Sequence, residues 1–255
     1  MSPGGLARSR EVLSDALLSW LFPARCVGCG EFETFLCARC RSQLQPVGAE
    51  VCVRCGQPGV TWSSPPWCPA CVGRSTGYAS ARSAFLYEGV ARKLVVALKS
   101  HGLRAVAPVM AELAAASFTD LLESSGADMV TWVPAHRSSH RERGYNQAEV
   151  LARSLARAAG SLPVIALARK GSRTKHQRAL SREARQHNVQ GVFAAEPGSR
   201  SGVRIGTKGV VLVDDVYTTG ATAGEVAGVV ARSTGLPVHV FTFCRAVAAL
   251  REASD

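Results

Sequence analysis

The sequence predicts an α/β protein in which a parallel sheet is flanked by helices and preceded by a cysteine-rich metal module. From about residue 78 onward, short apolar runs typical of strands alternate with segments of helical periodicity. That alternation is the pattern of a parallel sheet covered by helices. Ahead of it, eight of the nine cysteines lie between positions 26 and 71. The chain therefore divides into a small metal-dependent part and a larger part with an apolar core.

The composition of the 255-residue chain is that of a folded protein, with 47% hydrophobic and 19% charged residues. Its apolar runs are much shorter than the roughly 18 residues that a membrane span needs. No export signal is recognisable, so we expect a cytoplasmic protein without a membrane span. The net charge of +11 predicts an anionic partner: a nucleic acid, a phosphorylated metabolite, or both.

The cysteines form four Cys-x-x-Cys pairs, the spacing with which one turn presents two sulfurs to a tetrahedral ion. Four pairs predict two structural zinc ions, and metal binding must then drive the folding of this small module. A sequential grouping of the pairs needs less chain crossing and is favoured, whereas an interleaved grouping, which exchanges the middle pairs, stays open. The predicted zinc ligands are Cys26, Cys29, Cys37, Cys40, Cys52, Cys55, Cys68 and Cys71.

The elements before the central motif follow from periodicity and from glycine and proline signals. Apolar residues at helical spacing over 13–21 predict a short amphipathic helix ahead of the cysteines. After them, 83–87 is predicted as a strand and 90–102 as a helix that ends at a glycine. A second helix follows around 105–123, and a strand over 128–133 stops at a proline.

The rest of the chain repeats this order. An amphipathic helix is predicted over 146–160, where a glycine again ends the pattern. An apolar run over 163–168 is predicted as the next strand. After the central motif, a helix is predicted over 220–233 and the last strand of the sheet over 237–243.

The most informative stretch is "VVLVDDVYTTGAT", residues 210–222. Its apolar run predicts a strand over 209–214, buried on both faces and ending in Asp214 and Asp215, where parallel sheets bind ligands. Buried carboxylates need partners, and vicinal sugar hydroxyls can serve as such. The next turn offers backbone N–H groups, threonine hydroxyls and a helix start for a phosphate, and Gly220 permits close approach. A ribose 5-phosphate fits this pattern.

This stretch resembles the motif with which type I phosphoribosyltransferases bind 5-phosphoribosyl 1-pyrophosphate (PRPP). Together with the cysteine pairs, three further segments make the chain similar to the ComF family over roughly residues 12–245. The segments are "LVVALKSHG" (94–102), "VPAHRSSHRERGYNQA" (133–148) and "RTKHQRALSREARQHNVQGVF" (173–193). The resemblance implies an amphipathic helix over 1–24, a double zinc ribbon over 25–76 and a domain of the type I phosphoribosyltransferase fold over 77–250.

The resemblance also implies a set of site residues. The loop over 134–147 is expected to contact pyrophosphate, a later loop over 169–188 to close over the site, and Mg²⁺ to bind together with PRPP. The residues implied to be catalytic are Asp214, Asp215 and Arg143. The implied PRPP ligands are Asp214, Asp215, Thr218, Thr219, Gly220, Ala221, Thr222, Arg141, Arg143, Asn146, Gln147, Arg173, Gln177, Arg185 and Asn188.

One departure separates this chain from purine-salvage enzymes with the same motif, which carry an acid where this chain has Thr218. PRPP binding is therefore better supported than any named transfer reaction, and the acceptor is not predicted. Lys99 and His101 either help to cover an acceptor or simply end a helix favourably.

The family resemblance implies a role in DNA uptake during natural competence. Two alternatives stay open: an accessory protein that binds single-stranded DNA beside a competence helicase, and a PRPP-sensing regulator with little or no transferase activity. The chain has no Gly-x-x-x-x-Gly-Lys-Ser/Thr loop, so it is not itself the motor.

Overall fold

The structure is a computed structural model that describes residues 24–59, 67–135, 143–170 and 191–247. The helix predicted over 13–21 lies outside these ranges. The helices are α1 (Ala38–Arg41), α2 (Gly89–Ser100), α3 (Val106–Ser125), α4 (Gln147–Ala158), α5 (Ser199–Gly202) and α6 (Ala221–Thr234), with a 3₁₀ turn at Pro69–Cys71. The strands are β1 (Ser80–Leu86), β2 (Met129–Trp132), β3 (Ala168–Lys170), β4 (Phe193–Ala195), β5 (Val210–Tyr217) and β6 (Val238–Arg245). Within the described ranges, no helix has both the length and the hydropathy of a membrane span.

Four strands form a parallel sheet in the order β1-β6-β5-β2, which confirms the predicted architecture. β5 lies inside this sheet, and its first four residues are buried, as expected for a strand covered on both faces. The cysteine-rich part joins the sheet at its β1 edge. There the N–H of Val47 donates to the carbonyl of Ala84 in β1 (3.0 Å). The metal module is thus attached to the sheet by backbone hydrogen bonds.

The side chains of β5 alternate between two apolar clusters, one on each face of the sheet. Val211 and Val213 pack with α2, α3 and α4, whereas Val210 and Leu212 pack with α6. The cysteines follow the same division, because the first half of the metal module belongs to the α2–α4 cluster and the second half to the α6 cluster. The two halves of the module therefore stabilise opposite faces of one sheet.

The strand predicted over 163–168 is wrong in its extent. Val164 forms a single parallel bridge with Val130 at the edge of the sheet. The N–H of Leu167 then donates to the hydroxyl of Thr131 (3.3 Å) rather than to a backbone carbonyl. This side-chain bond ends the ladder, and the chain continues into β3, which pairs antiparallel with β4. The other predicted elements in the described ranges are confirmed, with ends shifted by at most three residues.

Candidate functional site

The structure gathers the eight cysteines of the metal module into two groups. Within each group the Sγ atoms lie within 4.8 Å of one another. These are two Cys₄ sites compatible with two structural zinc ions, and their composition follows the sequential grouping rather than the interleaved one. The first site consists of Cys26, Cys29, Cys37 and Cys40, and the second of Cys52, Cys55, Cys68 and Cys71.

Backbone N–H groups favour the thiolate at the first cysteine of each site. The N–H of Cys37 lies 3.4 Å from Sγ of Cys26, and the N–H of Cys68 lies 3.2 Å from Sγ of Cys52. Burial raises the pKa of both leading thiols, but backbone N–H donors lower it by more, and each pKa is about 6. Burial and the neighbouring sulfurs raise the pKa of Cys40 to about 12. Four thiolates therefore need a cation among them, and Zn²⁺ meets this requirement.

Guanidinium groups stack on aromatic rings beside both Cys₄ sites. Arg25 lies 4.0 Å from the ring centroid of Phe32, and Arg54 lies 4.1 Å from that of Trp67. The side chain of Phe32 is nevertheless 49% exposed. The first site thus presents a cation and an apolar ring together at the surface, a combination that suits stacking with nucleic acid bases.

A second group of polar side chains lies at the carboxyl end of β5. Pairing with β2 stops at Val213, whose carbonyl accepts the N–H of Val133 (3.0 Å), whereas pairing with β6 continues to Tyr217. Asp214 and Asp215 therefore come directly after the point at which β2 leaves the sheet. This is the position at which ligands bind in open parallel sheets.

Few of the described groups around the two carboxylates offset their negative charge. Asp215 is only 5% exposed, and its N–H donates to Oδ1 of Asp214 (2.9 Å). Burial, followed by the charge of Asp215, raises the pKa of Asp214 well above its usual range. Lys99 Nζ lies 3.9 Å from Oδ2 of Asp215, a loose ion pair at the end of α2. The arrangement favours a ligand that brings hydroxyl donors or a cation.

The chain after β2 brings further predicted site residues beside Asp215. Gln147 Nε2 donates to Oδ2 of Asp215 (3.4 Å), and Arg143 Nη1 donates to Oε1 of Gln147 (3.0 Å). Asn146 is engaged differently, since Oδ1 accepts an N–H of the first turn of α4 (2.9 Å) and Nδ2 donates to the carbonyl of Val133 (2.9 Å). Arg143 and Gln147 thus form a polar row that ends at Asp215, and a ligand role for Asn146 stays a prediction.

The first turn of α6 follows the end of β5 after a loop of three residues. Its N-cap is Gly220, which has a φ of +76° and offers no side-chain cap. Thr218 and Thr219 are exposed, and Oγ1 of Thr219 accepts a long hydrogen bond from the N–H of Ala221 (3.4 Å). An uncapped helix start with exposed hydroxyls beside it has the donors that a phosphate group requires. The described ligand candidates of this loop, from Thr218 to Thr222, are therefore close together.

Five predicted PRPP ligands lie outside the described residues, and their roles stay predictions: Arg141, Arg173, Gln177, Arg185 and Asn188. The residues that border the segment 171–190 are described. Lys170 pairs with Phe193 in the β3–β4 ladder, and Glu225 on α6 accepts the N–H of Val192 through Oε1 (2.8 Å). Both borders of this segment therefore lie beside the helix that follows the threonine loop.

Sequence reasoning missed three side chains around this loop: Tyr217 and Arg245, which are buried, and Glu225, which is partly buried. Arg245 is the last residue of β6, is 4% exposed, and lies with its guanidinium 4.4 Å from the ring centroid of Tyr217. The sequence does contain a signal for Tyr217, which is the one bulky residue between the two aspartates and the threonines. Arg245 ends an apolar strand with a charge, as Asp214 and Asp215 do.

Comparisons with known proteins identify the metal module and relatives that span most of the chain. Residues 17–73 match the family model of the double zinc ribbon domain. The chain is 28% identical over 213 residues to the DNA utilization protein YhgH of Salmonella typhimurium, which covers 82% of this chain and 88% of that protein. It is 25% identical over 227 residues to the competence protein ComFC of Bacillus subtilis, which covers 86% of this chain and 87% of that protein.

A shorter similarity extends the comparison. The competence protein F of Haemophilus influenzae is 29% identical over 114 residues, 45% of this chain and 48% of that protein. The resemblance to ComF proteins seen in the sequence is thereby confirmed. The chain is similar to the YhgH and ComFC proteins, and it has two Cys₄ sites in a region that matches the double zinc ribbon domain.

Proposed function

We propose that the carboxyl end of β5 binds PRPP together with Mg²⁺, within a domain of the type I phosphoribosyltransferase fold over 77–250. One observation carries the proposal: the under-compensated pair of Asp214 and Asp215 lies beside the uncapped start of α6. The carboxylates would accept the ribose hydroxyls, and the loop over 218–222 would donate to the 5-phosphate. Mg²⁺ would be held mainly by PRPP and water.

The polar row on the other side of Asp215 supports a place for pyrophosphate. Arg143 is half-buried and donates to Gln147, which in turn donates to Asp215. The row of polar side chains therefore ends at the carboxylate pair. A guanidinium binds phosphate oxygens in bidentate fashion, so Arg143 would stabilise charge on a departing pyrophosphate. Transfer of the ribosyl group to an acceptor would then be a displacement at the anomeric carbon, in which the protein positions the reactants.

Calorimetry with PRPP and Mg²⁺ tests the binding proposal. We expect binding by the wild type and its loss in Asp214→Asn combined with Asp215→Asn. Asp128→Asn is the matched control, since Asp128 lies before β2 at the other end of the sheet and its carboxylate accepts the N–H of Lys208 (3.0 Å). Undiminished binding in the double variant, or no binding by the wild type, would reject the proposal. Pyrophosphate release with an acceptor distinguishes an enzyme from a sensor.

The relatives are named for DNA utilization and competence, which supports a role of this kind for the chain. We therefore propose a role in DNA uptake, in which single-stranded DNA is a second ligand. The net charge of +11 and the exposed Phe32 beneath Arg25 favour a contact through the first half of the metal module.

A further inference from the structure

We propose that the second Cys₄ site positions the threonine loop over 218–222, and that the buried side chains of Arg245 and Tyr217 transmit this effect. The premise that this loop binds a phosphate rests on the proposed function. The coupling itself rests on contacts between described residues. It makes Arg245 and Tyr217 positioning residues, because each acts on the loop through its neighbour.

Arg245 connects the end of β6 to the second metal site. Its Nη1 donates to the carbonyl of Cys55 (2.6 Å), its Nη2 donates to Oε1 of Gln57 (2.9 Å), and Nη2 lies 3.8 Å from Sγ of Cys55. The guanidinium is 4% exposed, and across the described ranges no carboxylate forms an ion pair with it.

A buried guanidinium needs a compensating negative charge. A Zn²⁺ ion with four thiolates has a net charge of about −2, and the second site is within contact distance of Arg245. The two oxygens that accept from Arg245, the carbonyl of Cys55 and Oε1 of Gln57, belong to the turn that the metal would fix. The position of Arg245 therefore depends on whether the second site is metallated.

Arg245 in turn holds Tyr217. The guanidinium lies 4.4 Å from the ring centroid, an arrangement in which cation and ring attract each other. On the far side, Oη of Tyr217 shares a 2.6 Å hydrogen bond with Oη of Tyr78, and both tyrosines belong to the same buried cluster as the second site. The ring is thus fixed in position from two directions.

Tyr217 then determines where the loop can lie. A Cβ atom placed on Gly220 would be 2.1 Å from Oη and 2.5 Å from Cζ of Tyr217, so the backbone at Gly220 rests directly on this ring. Gly220 is the N-cap of α6, and a displacement of the ring would move the first-turn amides. The first Cys₄ site lacks this link among the described contacts: it is bound to α2, where Lys93 donates to the carbonyl of Gly28 (2.6 Å).

The coupling is tested first without any ligand, by amide hydrogen exchange on the zinc-loaded full chain. Arg245→Met removes the charge but keeps most of the side-chain volume. Arg82→Met is the matched control, because Arg82 also donates to the metal module, at the carbonyl of Val53 (3.0 Å), and has no contact with Tyr217. We expect exchange over 218–224 to become at least about tenfold faster in Arg245→Met, and to stay unchanged in Arg82→Met. Equal exchange in the two variants would overturn the proposal.

A second measurement does not depend on how well Arg245→Met folds. Metal release to a chelating dye is followed in Cys37→Ser, which keeps the second site, and in Cys68→Ser, which keeps the first. Because coupling of binding free energies is reciprocal, PRPP with Mg²⁺ should raise the zinc affinity of the second site several-fold, so that less zinc is released at equilibrium, and leave the first unchanged. Equal effects on both sites would reject the coupling. If the wild type fails to bind PRPP, the proposed function fails, and the exchange experiment still decides the coupling.

Discussion

The N–H of Asp215 donates to the carboxylate of Asp214 at 2.9 Å, and this bond is not enough to offset the cost of placing two acids side by side. Burial and the adjacent charge still raise the pKa of Asp214 well above its usual range. Functional sites often contain such groups, because a ligand relieves a cost that the free protein carries. The aspartate pair therefore links folding stability to binding.

We predict that Asp214→Asn stabilises the ligand-free protein at neutral pH while it weakens PRPP binding. Because the pKa of this carboxyl is raised in the folded state, its protonated form favours folding, and this stability is fully present below the unfolded pKa of about 4. The stability is lost as pH rises through the folded-state pKa. Asparagine has no charge to lose. Thermal unfolding should show a higher Tm for the variant at pH 8, by about 2–4 °C for each kcal/mol of relieved cost.

The difference in Tm between the variant and the wild type should shrink as pH falls from about 8 towards the unfolded pKa of about 4. Asp128→Asn serves as the control and should not raise the Tm at pH 8, because the carboxylate of Asp128 accepts the N–H of Lys208 (3.0 Å). A lower Tm for Asp214→Asn at pH 8 would mean that the ionised carboxylate has a stabilising partner, contrary to this interpretation.

The grouping of the zinc ligands is tested by two double substitutions and a count of bound metal. In the sequential grouping, Cys26→Ser with Cys37→Ser damages one site, whereas Cys26→Ser with Cys52→Ser damages both. We expect the first variant to retain one zinc per chain and the second to retain none, measured by elemental analysis of the folded protein. The interleaved grouping predicts the reverse result, so the pair of variants decides between the two.

Gly220→Ala should destabilise the protein by more than a positive φ alone explains. Alanine at φ +76° costs about 1 kcal/mol, and here its Cβ would also meet the ring of Tyr217. Gly235→Ala is the matched control, because Gly235 caps the other end of α6 at the same φ with no atom within 4 Å. Urea unfolding should show a larger loss for Gly220→Ala by about 1–3 kcal/mol. Equal losses would show that the ring moves aside without cost.

Much of the sheet could be predicted from local patterns. The strand over 209–214 and the helix over 220–233 are recognisable because their apolar residues repeat at the period of the element. The aspartates and the threonine loop then follow from their position at the end of a buried strand. The Cys-x-x-Cys spacing similarly predicts the ligands, since one turn holds both sulfurs.

The remaining features depend on contacts between distant parts of the chain. The hydrogen bond from the N–H of Leu167 to the hydroxyl of Thr131, which ends the edge strand, has no sequence signature. Arg245 is 190 positions from Cys55, and only the fold shows that its guanidinium reaches the second metal site. For the same reason, the separation of the two Cys₄ sites onto opposite faces of the sheet could not be read from their spacing.

If the first half of the metal module binds single-stranded DNA, Phe32 and Arg25 should contribute in different ways. Loss of the exposed ring in Phe32→Ala removes stacking worth about 1–3 kcal/mol per base, so affinity for labelled oligothymidine should fall about 5- to 150-fold. Arg25→Ala should also reduce the dependence of log Kd on log salt by about one counterion. Val72→Ala is the control, because Val72 is 61% exposed on the other half of the module. An unchanged affinity in both Phe32→Ala and Arg25→Ala would place any DNA contact elsewhere.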